Sequence, residues 1–453
     1  MNAPEHYEIA VVGGGIAGLY CCLKAPPGTR IALFEASDRF GGRLETVPMD
    51  GFLAEYGSMR FDPSRQHLVG RLISELKLET EPFPEYTSPA VKERQAVYAL
   101  RDDEKELNAL EIYALAIARV LNRSVAELLD TSEEELEHLV REGKFRNRYL
   151  WELGVWNAFS DVISHDAIKY IMAEGSFYHQ VHENPGVIGS MITWVKMLQM
   201  SPDMKGIKGG MHLITDRMLE KVRDKKVDVF SGHTLQAIEP QGKKLALTFN
   251  KGKVTADHAI LALPRYPLKA IKGLPEDIRN LFDSVIPIPL LKCFFLVKQP
   301  WWREETPNQG VQNLPTRELH YYRQGGKGLV MVYADRPAAN FWSGYVACKD
   351  HAQAELGRQP KLPLVFAEHM KINPDSIAGY GIRDWARAPY GAGVHLWIRG
   401  VAPWTVSERL EAFPLHDGAP RNVHICGEAF SDYQGFMEGA LRSAEKALGK
   451  VLG

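Results

Sequence analysis

A glycine triplet lying between an apolar run and a helix-compatible stretch constrains this chain more than any other feature. Ile9 to Val12 leads into Gly13-x-Gly15-x-x-Gly18, then a stretch that can coil, then a second apolar run, Ile31 to Phe34, and Glu35. That order predicts strand, tight turn, helix and parallel strand. The first glycine permits the turn, the second lets backbone approach a pyrophosphate, and the third lets the helix pack on the strand. The helix N-terminus adds N–H donors and a positive dipole, so an anion belongs against Gly13, Gly15, Ile16, Ala17 and Gly18. Glu35, followed by Ala36, stands twenty residues beyond Gly15. A carboxylate there accepts hydrogen bonds from a ribose diol and repels a 2′-phosphate. The unit therefore predicts a bound dinucleotide and leaves NAD and FAD open.

Arg39-Phe40-Gly41-Gly42-Arg43 follows the ribose acid directly. A Gly-Gly-Arg turn at this point brings further backbone N–H groups and a guanidinium toward the same phosphates. The arrangement resembles the amine oxidase branch of FAD enzymes, which makes FAD the expected cofactor.

At 453 residues the chain is long enough for two or three domains and a large core. Lys plus Arg (54) nearly balances Asp plus Glu (56), so no overall field favours nucleic acid or an anionic membrane. No apolar run reaches the roughly 18 residues that span a bilayer, and Met1 to His6 lacks a basic-then-apolar secretory pattern. The expectation is a soluble, cytoplasmic protein. The cysteines Cys21, Cys22, Cys293, Cys348 and Cys426 form neither a CxxC metal pattern nor an even disulfide set, and read as buried thiols. No metal site is expected.

Along the chain, Leu110, Ala114, Ile117 and Leu121 recur at helical spacing, and Ser124/Glu127 and Thr131/Glu134 read as capping boxes. Helical patterning continues past Trp156 and Ile168. Period-2 patterns return at Val227 to Ile238 and Lys244 to Phe249, followed by the buried strand Asp257 to Leu263 that Pro264 stops. Val423 to Gly427 is a further short strand, and Glu438 to Leu452 the closing helix. Strands of one sheet are thus spread over the chain. The expected fold is α/β: a discontinuous Rossmann-type FAD domain (1–60, 205–285 and 420–453), an α+β substrate domain (61–100 and 286–419), and an inserted helical subdomain (101–204).

The family resemblance extends to residues that would do chemistry. Gly427-Glu428 matches the late Gly-Glu pair that ends the final strand beside the flavin, and Leu235 the place where backbone meets adenine. Gly57-Ser58-Met59-Arg60 resembles the Gly-x-Met-Arg segment of L-amino acid oxidases, which runs along the flavin and ends in the arginine that holds a substrate carboxylate. A guanidinium suits that role, offering two parallel donors to a carboxylate. Lys292, amid Leu290, Leu291, Phe294 and Phe295, matches the lysine bridged by water to flavin N5, and its burial lowers its pKa. Tyr333 falls on the tyrosine that joins the arginine at the carboxylate. Trp385, Tyr390 and Gly391 to Val394 resemble the flavin-flanking segment; Val394 stands where monoamine oxidases carry a covalently bound cysteine, which implies a non-covalent flavin. Gly435 matches the glycine whose carbonyl accepts the substrate amine, and Phe436 the cavity aromatic, although a tryptophan is frequent there. Phe177-Tyr178-His179-Gln180 is the candidate roof, with Tyr178 against substrate and Trp194 and Trp397 further candidates. Glu174 and Asp203 are acids near the roof that a basic substrate would need.

The resemblance implies FAD-dependent oxidative deamination of an L-α-amino acid by dioxygen, with homodimers or larger homo-oligomers. Three rival readings stay open: an L-amino-acid 2-monooxygenase giving an amide, an amine or polyamine oxidase, and a flavin-free binding protein of the GDP-dissociation-inhibitor kind.

Overall fold

The two apolar runs that flank the glycine triplet do not alternate, which suits strands covered on both faces. The computed structural model describes residues 5–83, 97–174, 182–189, 195, 204–303, 309–311, 315–316, 318–346, 355–357 and 361–453. In it the runs form the strands His6–Val12 and Ile31–Phe34, parallel neighbours joined through the helix Ile16–Lys24. The strand Gly252–Leu261 lies parallel on the other side of His6–Val12. This long strand has two partners on its far edge. Its first residues pair antiparallel with Lys244–Phe249, and Ala259 to Leu261 pair parallel with Val423–Ile425. Leu235–Gln241 and Asp228–Phe230 complete a seven-stranded sheet whose strands come from both ends and the middle of the chain.

Each face of this sheet is sealed. Ile9, Val11, Leu33 and Ile260 pack beneath the helices Ile16–Lys24, His212–Asp224 and Met437–Leu452, together with the buried thiols Cys21, Cys22 and Cys426. Ala10, Val12, Phe34 and Leu261 face the opposite layer, which contributes Leu268, Ile278 and Val406.

A second, six-stranded sheet centres on Leu291–Val297, every residue of which is buried. Its antiparallel neighbours are Lys327–Ala334 and Ile377–Asp384, and Glu318–Gln324 lies beyond the former. Side chains alternate across the pleat. Leu291, Cys293, Phe295 and Val297 meet Trp342 and Phe366, whereas Phe294 and Leu296 face Phe52, Tyr56 and Val394. Lys292 shares that second face by register.

The helices Ala109–Val120, Glu133–Glu142, Val155–Val162 and His165–Glu174 form a separate cluster around Ile112, Ile117, Phe159 and Ile171. Two local expectations need correction. Leu110 is 40% exposed; Ala114 and Ile117 are buried as the spacing predicts, and Ile112, Tyr113 and Val120 share the buried side of the helix with them. The Ser124/Glu127 box forms, but the next helix is capped by Ser132, which accepts from Glu135 N–H. The Thr131 hydroxyl is already donated to Glu127 O at 2.9 Å, at the end of the preceding helix. Among the described residues no helix is long and apolar enough to cross a membrane, and no group of His, Cys, Asp and Glu could hold a metal ion.

Candidate active site

Ligands of parallel sheets sit beyond the carboxyl ends of the strands. Here a cavity of about 410 Å³ opens at that edge of the seven-stranded sheet and runs on to the inner face of the six-stranded one. Its lining includes the expected residues Gly13, Gly15, Ile16, Ala17, Glu35, Ala36, Gly42, Arg43, Gly57, Ser58, Met59, Arg60 and Leu235. It also includes Lys292, Tyr333, Trp385, Val394, Gly427, Glu428, Gly435 and Phe436. Other expected residues stand apart. Gly18 is packing rather than lining: a Cβ there would sit 1.9 Å from Gly13 O. Tyr178 lies outside the described residues, as do Phe177, His179, Gln180, Trp194 and Asp203, and the side chain of Glu174 is likewise not described. Trp397 belongs to the core, its Nε1 donating to Ser431 O at 3.2 Å.

At the glycine end, Gly13 has φ +107°, and a Cβ there would meet Ala262 O at 2.4 Å. Gly15 instead has ordinary φ, and a Cβ on it would meet only Gly42 Cα at 3.8 Å. The helix behind it has no side-chain cap, so its first N–H groups are available to an anion in the cavity. The Glu35 carboxylate is fixed by Gly14 N at 2.7 Å and by Ser37 N and Oγ, both at 2.8 Å.

Arg43 is turned differently from the sequence expectation. Its Nη1 donates to Gly393 O at 2.7 Å and to Glu428 Oε2 at 2.9 Å, which ties the glycine turn to the two segments across the cavity. Glu428 also accepts from His395 N at 2.7 Å, His395 Nδ1 at 3.1 Å and Gly435 N at 3.1 Å. Burial alone would raise the Glu428 pKa; Arg43 and His395 outweigh it and hold the carboxyl down at about 2.

At the other end, register builds a polar row across a largely apolar sheet face. Glu318 pairs with Tyr333, Tyr333 with Lys292, and Lys292 with Arg383. Lys292 Nζ donates to Glu55 O at 2.8 Å and Gly57 O at 2.6 Å, and stands 4.6 Å from the Tyr333 ring centre. The lysine thus anchors the backbone that carries Gly57 to Arg60. Burial drives its pKa down, opposed by the half-buried Glu55 carboxylate, whose own pKa is driven up by desolvation. Arg60 lies over the Phe83 ring at 5.1 Å, and its charge is felt by Lys292 and by the buried His320. Trp385 donates Nε1 to Tyr56 O at 2.8 Å. Gly435, at φ +86°, and Phe436 precede the closing helix and complete this end.

The cavity also uses residues that sequence reasoning did not single out as lining: His233, Thr234, Ala262 to Pro264, Tyr266, Pro267 and Ala270. The signal was present in part. The apolar strand that Pro264 stops runs parallel to His6–Val12, so its end had to emerge beside the glycine turn. His233 is brought in by its N–H, which donates to Glu35 O at 2.8 Å, a tertiary contact with no local signature.

Against known proteins, the sequence model described as flavin containing amine oxidoreductase matches residues 22–452. The chain is 22% identical to the L-amino acid oxidase Cdc18 of Crotalus durissus cumanensis, over 97% of this chain and 88% of that protein. It is 22% identical to the L-amino-acid oxidase of Demansia vestigiata, over 97% and 86%. Among solved structures, a wild-type putrescine oxidase bound to putrescine superposes with a TM-score of 0.71 at 18% identity, covering 99% of each chain.

Proposed function

The chain belongs to the flavin containing amine oxidoreductase family, and from that premise we propose that it is an FAD-dependent L-amino acid oxidase. The observation that carries this reading is the meeting of Arg60 and Tyr333 in one cavity with Lys292 and Phe436, continuous with the glycine cradle. The cradle suits a dinucleotide: Gly15 leaves space where any side chain would project, the uncapped helix end faces it, and Glu35 stands ready for a ribose. Val394 has no group able to bond a flavin, in keeping with non-covalent FAD.

Arg60 binds the substrate carboxylate bidentately and Tyr333 adds a hydroxyl. The Gly435 carbonyl accepts from the substrate amine and Phe436 closes over it, which points the α-hydrogen along the cavity. Lys292 holds the carbonyls of Glu55 and Gly57, so Arg60 is presented from a fixed backbone. The apolar wall excludes water, which strengthens the carboxylate pair and favours binding of the amine in its neutral form, its proton left in bulk water. When bound, the flavin supplies the acceptor for the hydride from Cα and passes its electrons to dioxygen, giving hydrogen peroxide. The released imino acid hydrolyses to a 2-oxo acid and ammonia.

The test is an L-amino-acid panel read together for peroxide, 2-oxo acid and amide. Equimolar peroxide and 2-oxo acid are expected. Amide with carbon dioxide would establish a 2-monooxygenase instead, and turnover confined to substrates without a carboxylate an amine oxidase.

A further inference from the structure

One buried carboxylate supports the aromatic wall of the cavity. Glu45 follows the Gly-Gly-Arg turn and is 5% exposed. It accepts two bonds from Arg383, Nε to Oε2 at 2.7 Å and Nη2 to Oε1 at 2.6 Å. Arg39 approaches the same group, its Nε 3.5 Å from Oε1. The Arg383 side chain is wholly buried. Guanidiniums so far from water persist only where a carboxylate compensates them with good geometry.

Each guanidinium backs one aromatic ring. Arg383 Cζ stands 4.8 Å from the Trp385 ring centre, and Arg39 Nη2 donates to Tyr390 Oη at 3.3 Å. Trp385 and Tyr390 meet edge to face, their centres 4.9 Å apart and their planes at 73°, and both line the cavity. The two arginines come from different sheets' surroundings. Arg39 belongs to the glycine turn, whereas Arg383 is the cross-strand partner of Lys292. Glu45 thereby locks the cofactor turn to the strand register that carries Lys292 and Tyr333.

We infer that Glu45 is a positioning residue for the cofactor: through Arg383 and Arg39 it fixes the Trp385–Tyr390 wall of the cavity that would receive the flavin ring. The inference rests on the proposed flavin reading of this cavity. Its net charge has a second consequence. Two guanidiniums and one carboxylate leave one positive charge behind the wall, and neutralising Glu45 raises that to two.

The experiment compares purified holoprotein of the wild type with Glu45→Gln, Glu45→Asp and Arg383→Lys. FAD dissociation constants are read by flavin fluorescence on dilution, midpoint potentials by dye equilibration, and Tm alongside. Glu45→Gln is expected to weaken FAD binding at least tenfold and to raise the midpoint potential. Glu45→Asp should recover most of the affinity and the wild-type potential. Arg383→Lys, which keeps the charge but loses the two-point contact, should weaken binding with little change in potential. If Glu45→Gln does not fold, Glu45→Asp and Arg383→Lys carry the test. Wild-type affinity and potential in the variants, with only Tm lowered, would overturn the inference and leave the flavin reading standing. A wild type that takes up no FAD would overturn both.

Discussion

A carboxylate sealed from water keeps its charge only if its neighbours replace the lost hydration. Glu428 does so through Arg43, two donors of His395 and the N–H of Gly435. Its pKa falls to about 2, from an ordinary 4.5. Between these values the unfolded chain binds more protons than the folded one, so the stabilisation is full above pH 4.5 and drains away as pH falls toward 2. A shift of that size is worth on the order of 3 kcal/mol. Glu428→Gln should therefore lower the urea-unfolding free energy most at neutral pH, and the gap to wild type should close as pH falls from 4.5 to 2. A gap independent of pH would mean that the carboxylate is not held ionised by these partners.

The two inner glycines of the first turn separate folding from binding within a single element. A methyl at Gly18 would lie 1.9 Å from Gly13 O, a backbone atom that cannot step aside, whereas at Gly15 it would meet only Gly42 Cα at 3.8 Å. Gly18→Ala should lift the helix off the strand and cost several degrees of Tm in flavin-free protein. Gly15→Ala should leave that Tm within about 2 °C and abolish flavin uptake, since its methyl enters the space where backbone meets pyrophosphate. Calorimetry with a flavin-content assay decides it, and an equal Tm loss in both variants would contradict the division. These glycines were legible because turn, close approach and helix packing are local demands on three positions. The strand ends were legible too, through Pro264 and Gly427. Local signals failed where a choice depended on a neighbour: Ser132 takes the cap, while the Thr131 hydroxyl is turned back to Glu127 O and Arg123.

Over the whole molecule, sequence distance sets what could be foreseen. The seven-stranded sheet gathers residues 6–34, 228–261 and 423–425, and dispersed apolar runs gave notice of that. Glu45 and Arg383 are 338 positions apart, and nothing near either residue announces the other. Likewise the row Glu318, Tyr333, Lys292 and Arg383 exists only through strand register; Tyr333 and Lys292 were singled out by resemblance, Glu318 and Arg383 by nothing. What the assembled molecule adds is continuity. A glycine cradle on one sheet, Lys292 and Tyr333 on the face of the other, and Arg60 beside them share one cavity, where the proposed cofactor and substrate would meet. The central claim is that Arg60 makes this cavity select α-carboxylates. The most direct measurement compares kcat/KM for an L-amino acid and for the amine that its decarboxylation leaves, in wild type and in Arg60→Ala. Losing one partner of a buried charge pair costs about 2–5 kcal/mol, or roughly 30-fold to several-thousand-fold. Wild type should prefer the amino acid by at least about thirtyfold, and Arg60→Ala should lose most of that preference while its rate on the amine is little changed. Equal use of both substrates by wild type, or an undiminished preference in Arg60→Ala, would contradict the account.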